Sequence, residues 1–398
     1  MKRIALVTHS LSGGVWTVTR FLWDILSKNT RFSPEIIHIA TSSRDPASVR
    51  LLDPTSWIHG VQIESGSKDG LLYRHVGATM VELEFQRYRS RRVLNQLLNE
   101  FDLIQIVAGS PAFANVVPSL SPPVALQVAT LSRIERRRLL QTSSWPRRSY
   151  FKLMQPIVDR IENLGIRKAS VVFVENRWMW EWAQKQVGKE NAVFAPPGVD
   201  TIFFSPNSGE YQYQDAPYIL SVGRFSDPRK NIRLLFDAYA IVQQRIHPYP
   251  KLVLAGRTSP IPTDMEYAAN LGILEDIIIR QDVPLNELAD LYRNAQVFVL
   301  SSDEEGLGIV LLEAMASGIP VISTDCGGPS TAVENGINGF LTRAGDAETM
   351  ADALLLLLKN DGLRCQMGTA ARQIAVERFS VEAAAKTYLN VYEELLFS

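Results

Sequence analysis

Between Val297 and Leu341 the chain reads VFVLSSDEEGLGIVLLEAMASGIPVISTDCGGPSTAVENGINGFL, and few folds can accommodate that order of residues. Residues 297–300 are apolar, β-branched or aromatic, which predicts a short buried strand. A polar, acidic loop at 301–305 leads into Gly306-Leu307-Gly308. Residues 309–316 are apolar at helical length and are stopped by Gly318 and Pro320. Residues 321–323 predict a second strand. Strand, loop, helix and strand together imply a parallel α/β sheet with helices on its faces. Ligands of such sheets bind beyond the carboxyl ends of the strands.

Two carboxylates stand out in this stretch. Glu305 lies in the loop beside the glycines, and Glu313 lies two turns into an otherwise apolar helix. A buried carboxylate needs partners. Sugar hydroxyls would serve, and so would a salt-bridge partner on an ordinary helix face. The glycines let backbone N–H groups approach an anion at the helix N-terminus, where the dipole favours phosphate. Solvated or structural carboxylates fit these residues as well.

The chain has 398 residues, which at about 150 per domain suggests two to three domains. Strands are expected at 3–8, 35–40, 61–64, 103–107, 124–128, 171–174 and 191–194. Helices are expected at 15–26, as one long basic helix at 80–98, and around 177–186, with a turn at 118–123. Residues 195–216 carry Pro196, Pro197, Gly198, Pro206 and Gly209 and form the best linker. Alternation then restarts, with strands at 218–222, 252–255 and 277–280 and helices at 231–246 and 284–293. Three helices are expected at the end: 347–359, 361–378 and 381–396. The expected organisation is 1–200, 201–378 and a terminal helix at 379–398.

Charge separates the halves. Residues 1–200 hold 26 basic and 17 acidic side chains; the remainder holds 15 and 25. Different partners for the two halves follow. Cys326 and Cys365 make no disulfide framework or metal set, which points to a reducing, cytoplasmic compartment. The first eight residues are too short for a signal h-region, and no apolar run reaches membrane-spanning length.

A second anion site is written at Gly223-Arg224, which ends the first strand of the second half, with Lys230-Asn231 opening the next helix. Arginine offers a bidentate fork and lysine a compact charge. Neutralising a leaving diphosphate is the task such a pair suits. Asp227 and Arg229 read as interleaved loop charges. Near the amino end, a strand, Ser12-Gly13-Gly14 and a helix make another anion-ready turn.

Taken in order, these motifs resemble the retaining, GT-B-fold family 4 glycosyltransferases (glycosyl transferases group 1). Gly13-Gly14 resembles the N-terminal glycine loop, and 195–200 with Phe204 and Pro206 the linker signature. Gly223-Arg224 with Lys230-Asn231 is similar to the diphosphate clamp. Residues 305–321 are similar to the E-x7-E signature, continued by Gly327-Gly328 and Asn338-Gly339-Phe340. The match is dense in the second half and thin in the first.

The resemblance implies two Rossmann-like βαβ domains facing across a cleft, with the last helix crossing back to the first domain. It implies catalytic contacts from Glu305, Arg224 and Lys230. Arg224 and Lys230 would bind the diphosphate, Glu313 the ribose, and Glu305 the sugar. The backbone at Gly308 and Ile309 would meet the distal phosphate, with Gly14 opposite, while Gly13, Gly223, Gly306 and Leu307 would line the donor site and Val283 would lie near the base. A histidine that many members carry is replaced here, at the matching position, by Ala129.

The expected activity is transfer of a sugar from a nucleotide-diphosphate sugar to an acceptor, such as a lipid-linked or polysaccharide precursor. No cofactor and no metal are expected, since no Asp-x-Asp occurs. Two alternatives share the fold: a hydrolysing nucleotide-sugar epimerase, and an inactive sugar-nucleotide binder or partner subunit. Arg133, Arg136, Arg137, Arg138, Arg147 and Arg148, with Trp145, Tyr150 and Phe151 among them, form a basic face in the first half. Arg87, Arg89, Arg91 and Arg92 form another. Such faces suit an anionic membrane surface, an acidic acceptor, or plain solvation. Nucleic acid is not expected, because no groove-reading motif accompanies them.

Overall fold

The computed structural model describes residues 1–117, 122–206 and 217–397. Most of the expected turn at 118–123, and the second half of the expected linker, lie outside the described residues. The chain divides into two compact units. One comprises Met1–Pro197 with Ala384–Ser398, the other Gly198–Ala383.

The first unit is built on eight strands: β1 (Lys2–Thr8), β2 (Phe32–Ile39), β3 (Ile63–Lys68), β4 (Leu71–Val76), β5 (Leu103–Val107), β6 (Val124–Val128), β7 (Val171–Val174) and β8 (Ala192–Phe194). Their order is β3-β4-β2-β1-β5-β6-β7-β8. All neighbours are parallel except the β3–β4 hairpin at one edge. β5, β6 and β7 are buried at every position, which is why they read as unbroken apolar runs. The final helix, Val381–Phe397, supplies this unit with two buried tyrosines. Tyr388 Oη donates to Gln127 Oε1 (2.8 Å) and to the Ala195 carbonyl (2.6 Å), and Tyr392 Oη to Gln105 Oε1 (2.7 Å). Both glutamines are fully buried on strands, and their amide nitrogens donate to the Ile106 carbonyl and to Glu175, so the tyrosines satisfy the amide oxygens that would otherwise be orphaned.

The expected long helix at 80–98 does not form. In its place are a 3₁₀ turn, Glu84–Tyr88, and a short helix, Arg92–Leu98, separated by extended backbone at Arg89 and Arg91. The cause is Arg91. Its guanidinium is buried and donates to the carbonyls of Val76, Gly77 and Ala40. Satisfying those carbonyls holds the chain out of helix at this point. β4 was not foreseen, and a 22-residue helix, Trp145–Ile166, carries part of the expected basic face.

The second unit has six parallel strands: β9 (Tyr218–Arg224), β10 (Lys251–Thr258), β11 (Ile277–Gln281), β12 (Val297–Leu300), β13 (Val321–Thr324) and β14 (Gly339–Thr342). The order is β11-β10-β9-β12-β13-β14. Strand residues alternate between two cores. Val297 and Val299 face one, with the helices Ile232–Arg245 and Ala347–Lys359. Phe298 and Leu300 face the other, with Ile309–Ala316 and Asp361–Phe379. The direction of strand addition reverses between β9 and β12, so their carboxyl ends open a crevice.

Candidate functional site

The crevice is framed by two loops, one after β9 and one after β12. Arg224 ends β9 with its side chain 45% exposed. Asp227 then caps a 3₁₀ turn, Pro228–Lys230, and Asn231 adopts the left-handed conformation (φ 43°) before the helix Ile232–Arg245. The side chain of Asn231 donates to Asp303 Oδ1 (2.8 Å), and the Asp303 amide donates to the Arg229 carbonyl (2.7 Å). Ser301 Oγ donates to the Lys230 carbonyl (2.9 Å). These bonds tie the two loops together.

Charges complete the tie. Arg229 forks onto Asp227 and reaches Glu304 (3.1 Å). Burial alone would raise the Asp227 carboxyl, but the hydrogen bonds from Arg229 outweigh it and hold it below the usual range. Asp227 and Arg229, read from sequence as interleaved loop charges, are therefore the frame on which Arg224 and Lys230 are mounted. Nothing in their spacing announced this, because Glu304 and Asp303 arrive some 75 residues later.

Lys230 Nζ lies 2.5 Å from Glu305 Oε1, with both side chains largely covered. Ser302 Oγ donates to the same oxygen (2.7 Å). Lys230 thus has a single carboxylate against its ammonium, and Glu305 is pinned by two donors. Gly308 starts the helix Ile309–Ala316 in the left-handed conformation (φ 83°), where a Cβ would stand 3.0 Å from Leu311 Cδ1. A side chain there would be strained and crowded. β10 also approaches closely: a Cβ on Gly256 would meet the Gly223 carbonyl oxygen at 1.9 Å.

Glu313 lies in the second turn of that helix. Its carboxylate accepts from Tyr292 Oη at 2.7 Å. Burial pushes the Glu313 carboxyl up to about 7, with the tyrosine bond pulling the other way. Val283 is partly buried and packs on the adjoining core. Cys326, behind Glu305, is driven up to about 12 by burial and is no nucleophile.

Of the expected site residues, Gly223, Arg224, Lys230, Glu305, Gly306, Leu307, Gly308, Ile309 and Glu313 lie at or beside these two loops. Gly13 and Gly14 belong to the first unit and open the helix Gly13–Ser27, with nothing within 4 Å of a Cβ on Gly14. Ala129 follows β6, its amide donating to the Gly109 carbonyl and its carbonyl accepting from Asn176.

The basic face needs one correction. Arg136 is not part of it, because its guanidinium is largely buried against Glu84 and over the Phe151 ring. Arg133, Arg137, Arg147 and Arg148 are exposed. The Arg138 side chain lies outside the described residues.

The first unit holds a group that the sequence did not bring together. His9, His38, Asp45 and His75 line one cavity of about 320 Å3. Each histidine lies at or just past the carboxyl end of its strand, and that placement was the only signal.

Residues 208–374 match the family described as glycosyl transferases group 1. A D-inositol 3-phosphate glycosyltransferase of Xylanimonas cellulosilytica is 33% identical over 217 residues, 50% of each chain. A GDP-mannose-dependent alpha-(1-6)-phosphatidylinositol monomannoside mannosyltransferase of Mycolicibacterium smegmatis is 27% identical over 72% of this chain and 75% of its own. The chain spans about half the length of most curated relatives it matches. Among solved structures, sucrose-phosphate synthase from Thermosynechococcus elongatus shares the fold, with a TM-score of 0.74 and 20% identity over 99% of both chains. HepE of Anabaena, solved with UDP, has a TM-score of 0.70 at 18% identity over 99% of this chain and all of its own. Residues 208–374 thus carry the match to the group 1 glycosyltransferases, and the chain as a whole shares the two-domain GT-B fold of these solved structures.

Proposed function

We propose that the protein transfers a sugar from a nucleotide-diphosphate sugar to a hydroxyl of an acceptor, with retention at the anomeric carbon. The observation that carries this is the Lys230–Glu305 contact. A lysine beside an exposed arginine, above a glycine-started helix N-terminus, is an anion site that a carboxylate of the chain itself now fills. An arriving diphosphate would take Lys230 from Glu305 and engage Arg224. Glu305, released, would face the transferred sugar. Glu313 would accept from the ribose hydroxyls. Gly13 and Gly14 would contribute to donor binding, as the family resemblance implies. The domain bounds 1–200, 201–378 and 379–398 go with this reading, the first domain for acceptor and the second for donor.

Positive charge from Arg224, Lys230 and the helix amides would neutralise the leaving diphosphate, so turnover should not need a divalent ion. UDP and UDP-glucose complexes of HepE support a nucleotide-sugar donor. The lipid-linked acceptors named for the mycobacterial relatives support a membrane-bound acceptor here. The exposed Arg147, Arg148 and Lys152 share the helix Trp145–Ile166 with exposed Trp145 and Leu153, a surface suited to an anionic leaflet.

The test is a panel of nucleotide sugars, first for binding, then for hydrolysis and transfer. Anomeric proton NMR of the product must show the donor's configuration; an inverted product would overturn the assignment. Binding without turnover in any acceptor would identify an inactive sugar-nucleotide binder. Turnover without an acceptor would identify an epimerase. Turnover abolished by chelator and restored by magnesium or manganese would overturn metal independence.

A further inference from the structure

The two sheets end at four edge strands: β3, β8, β11 and β14. An edge strand presents unpaired N–H and C=O groups, and natural proteins blunt it with charge, brevity or cover. β3 carries Glu64, Gly66 and Lys68 among its six residues. β8 has only three residues. β14 is buried at both ends and half-buried between them. β11 is the least protected. It reads Ile277-Ile278-Ile279-Arg280-Gln281, and every residue after Ile277 is exposed. Ile278 is 42% exposed and Ile279 37%. Leu274 and Leu285, shortly before and after the strand, are exposed as well.

The backbone of β11 shows which groups are on offer. Peptide groups along a strand turn alternately to its two sides. The Asp282 amide donates to the Gly256 carbonyl of β10 (2.9 Å), and Arg280 is in register with Ala255. Positions 278, 280 and 282 therefore turn to β10. The N–H and C=O groups of Ile277 and Ile279 turn to the open edge.

The order of residues selects what can cover that edge. Glu275 and Asp276 precede the isoleucines and Arg280 follows them. A second copy running parallel would set acid beside acid, and such a head-to-tail contact does not close. An antiparallel copy related by a two-fold axis at Ile278 closes after one addition. Ile278 then faces its own copy, and Ile277 faces Ile279 on either side, exchanging both backbone bonds of each pair. The acidic start of one strand lies beside the basic end of the other. Asp276 is already held by Lys251, Gln243 and Tyr249, so the acid available there is Glu275, which is exposed and has no ion pair among the described residues. Arg280 has a long contact to Glu287 (3.5 Å), with both side chains about half exposed. A foreign strand would meet the same backbone groups, but nothing on the page matches its charges to these.

We propose that β11 is a homodimer interface, pairing antiparallel with β11 of a second copy about a two-fold axis at Ile278 and joining two six-stranded sheets into one. Each copy uses up its open edge, so assembly stops at two.

Sedimentation velocity of the full chain over a hundredfold range of concentration should show a reversible monomer–dimer equilibrium. Ile278→Lys puts like charges on the axis and should weaken the dimer at least tenfold. Arg280→Glu should weaken it as well, and adding Glu275→Arg, which reverses the charge order, should restore it. Ile278→Cys in a Cys365→Ser background should cross-link to its own copy under mild oxidation, because directly opposed residues of a non-hydrogen-bonded pair lie within disulfide reach. Leu285→Cys, off the axis, should not. The cysteine variants decide the matter even if Ile278→Lys does not fold. A wild-type chain that stays monomeric throughout, with no cross-link at 278, overturns the proposal. So does a dimer that Ile278→Lys leaves intact, or a ladder of larger species in place of closure at two. Failure of the charge reversal to restore the Arg280→Glu dimer overturns the antiparallel register.

Discussion

The two units share a parallel sheet and a crevice at the strand ends, yet they furnish it with opposite chemistry. In the second unit the loops after β9 and β12 bring together Arg224, Asp227, Arg229, Lys230, Asp303, Glu304 and Glu305, and each cation is paired with a carboxylate. In the first, the strand ends carry imidazoles and hydroxyls, with one carboxylate already engaged. The topology is common to both; the loops decide what each can hold. A site whose cations are already paired must exchange partners when an ion arrives.

The sharpest way to break that contrast is Lys230→Ala. It removes a charged contact worth about 1.5–3 kcal/mol and leaves Glu305 facing the incoming anion alone. UDP affinity by calorimetry should fall about a hundredfold, and Arg224→Ala, at an exposed position, should cost roughly tenfold. Unchanged affinity in both would remove the diphosphate role.

Glu305→Gln comes next. A contact to the sugar strengthens as positive charge develops at the anomeric carbon, so the loss should appear mainly in kcat, by about tenfold or more. If the variant turned over at the wild-type rate with only KM raised, the transition-state role would be wrong.

Glu313→Gln should act on the donor KM and on pH. The folded carboxyl is raised to about 7, so its contribution to stability is full below about 4.5 and is lost as pH rises through about 7. Thermal melts of the variant should show a flatter dependence across that window. Wild-type UDP affinity should increase over the same window, as the carboxylate forms, and the variant's should not.

The smallest effect is expected at the helix Trp145–Ile166. Each exposed basic residue near an anionic leaflet adds about 1 kcal/mol. Arg147→Glu with Arg148→Glu should reduce sedimentation with anionic vesicles at low salt. Equal, negligible binding of the wild type to anionic and neutral vesicles would leave these residues as a solvated face.

What the sequence showed well was whatever burial enforces locally. β12, its helix and β13 were legible because strands covered on both faces have to be apolar throughout and the helix has its own stop signals. The helix at 80–98 was misread because arginines at helical spacing look like a solvated face, and only the carbonyls of Val76, Gly77 and Ala40 show that Arg91 points inward. β4 escaped because an edge hairpin buries little of its side-chain surface. Glu313 could be located but its tyrosine partner could not, since Tyr292 lies on another helix. His9, His38, Asp45 and His75 are spread over 67 positions, and adjacency across strands leaves no trace in local pattern.

Tyr388 and Tyr392 fix the order in which this molecule can be made. Gln127 and Gln105 leave the ribosome 261 and 287 residues ahead of their hydroxyl partners. Until then the first sheet carries two buried amide oxygens without their hydroxyl donors, while the intervening unit, Gly198–Ala383, is already complete. The middle of the chain is therefore free to mature ahead of its beginning. A nascent chain stalled before residue 384 should hold a protease-resistant second unit beside a first that is still readily cut.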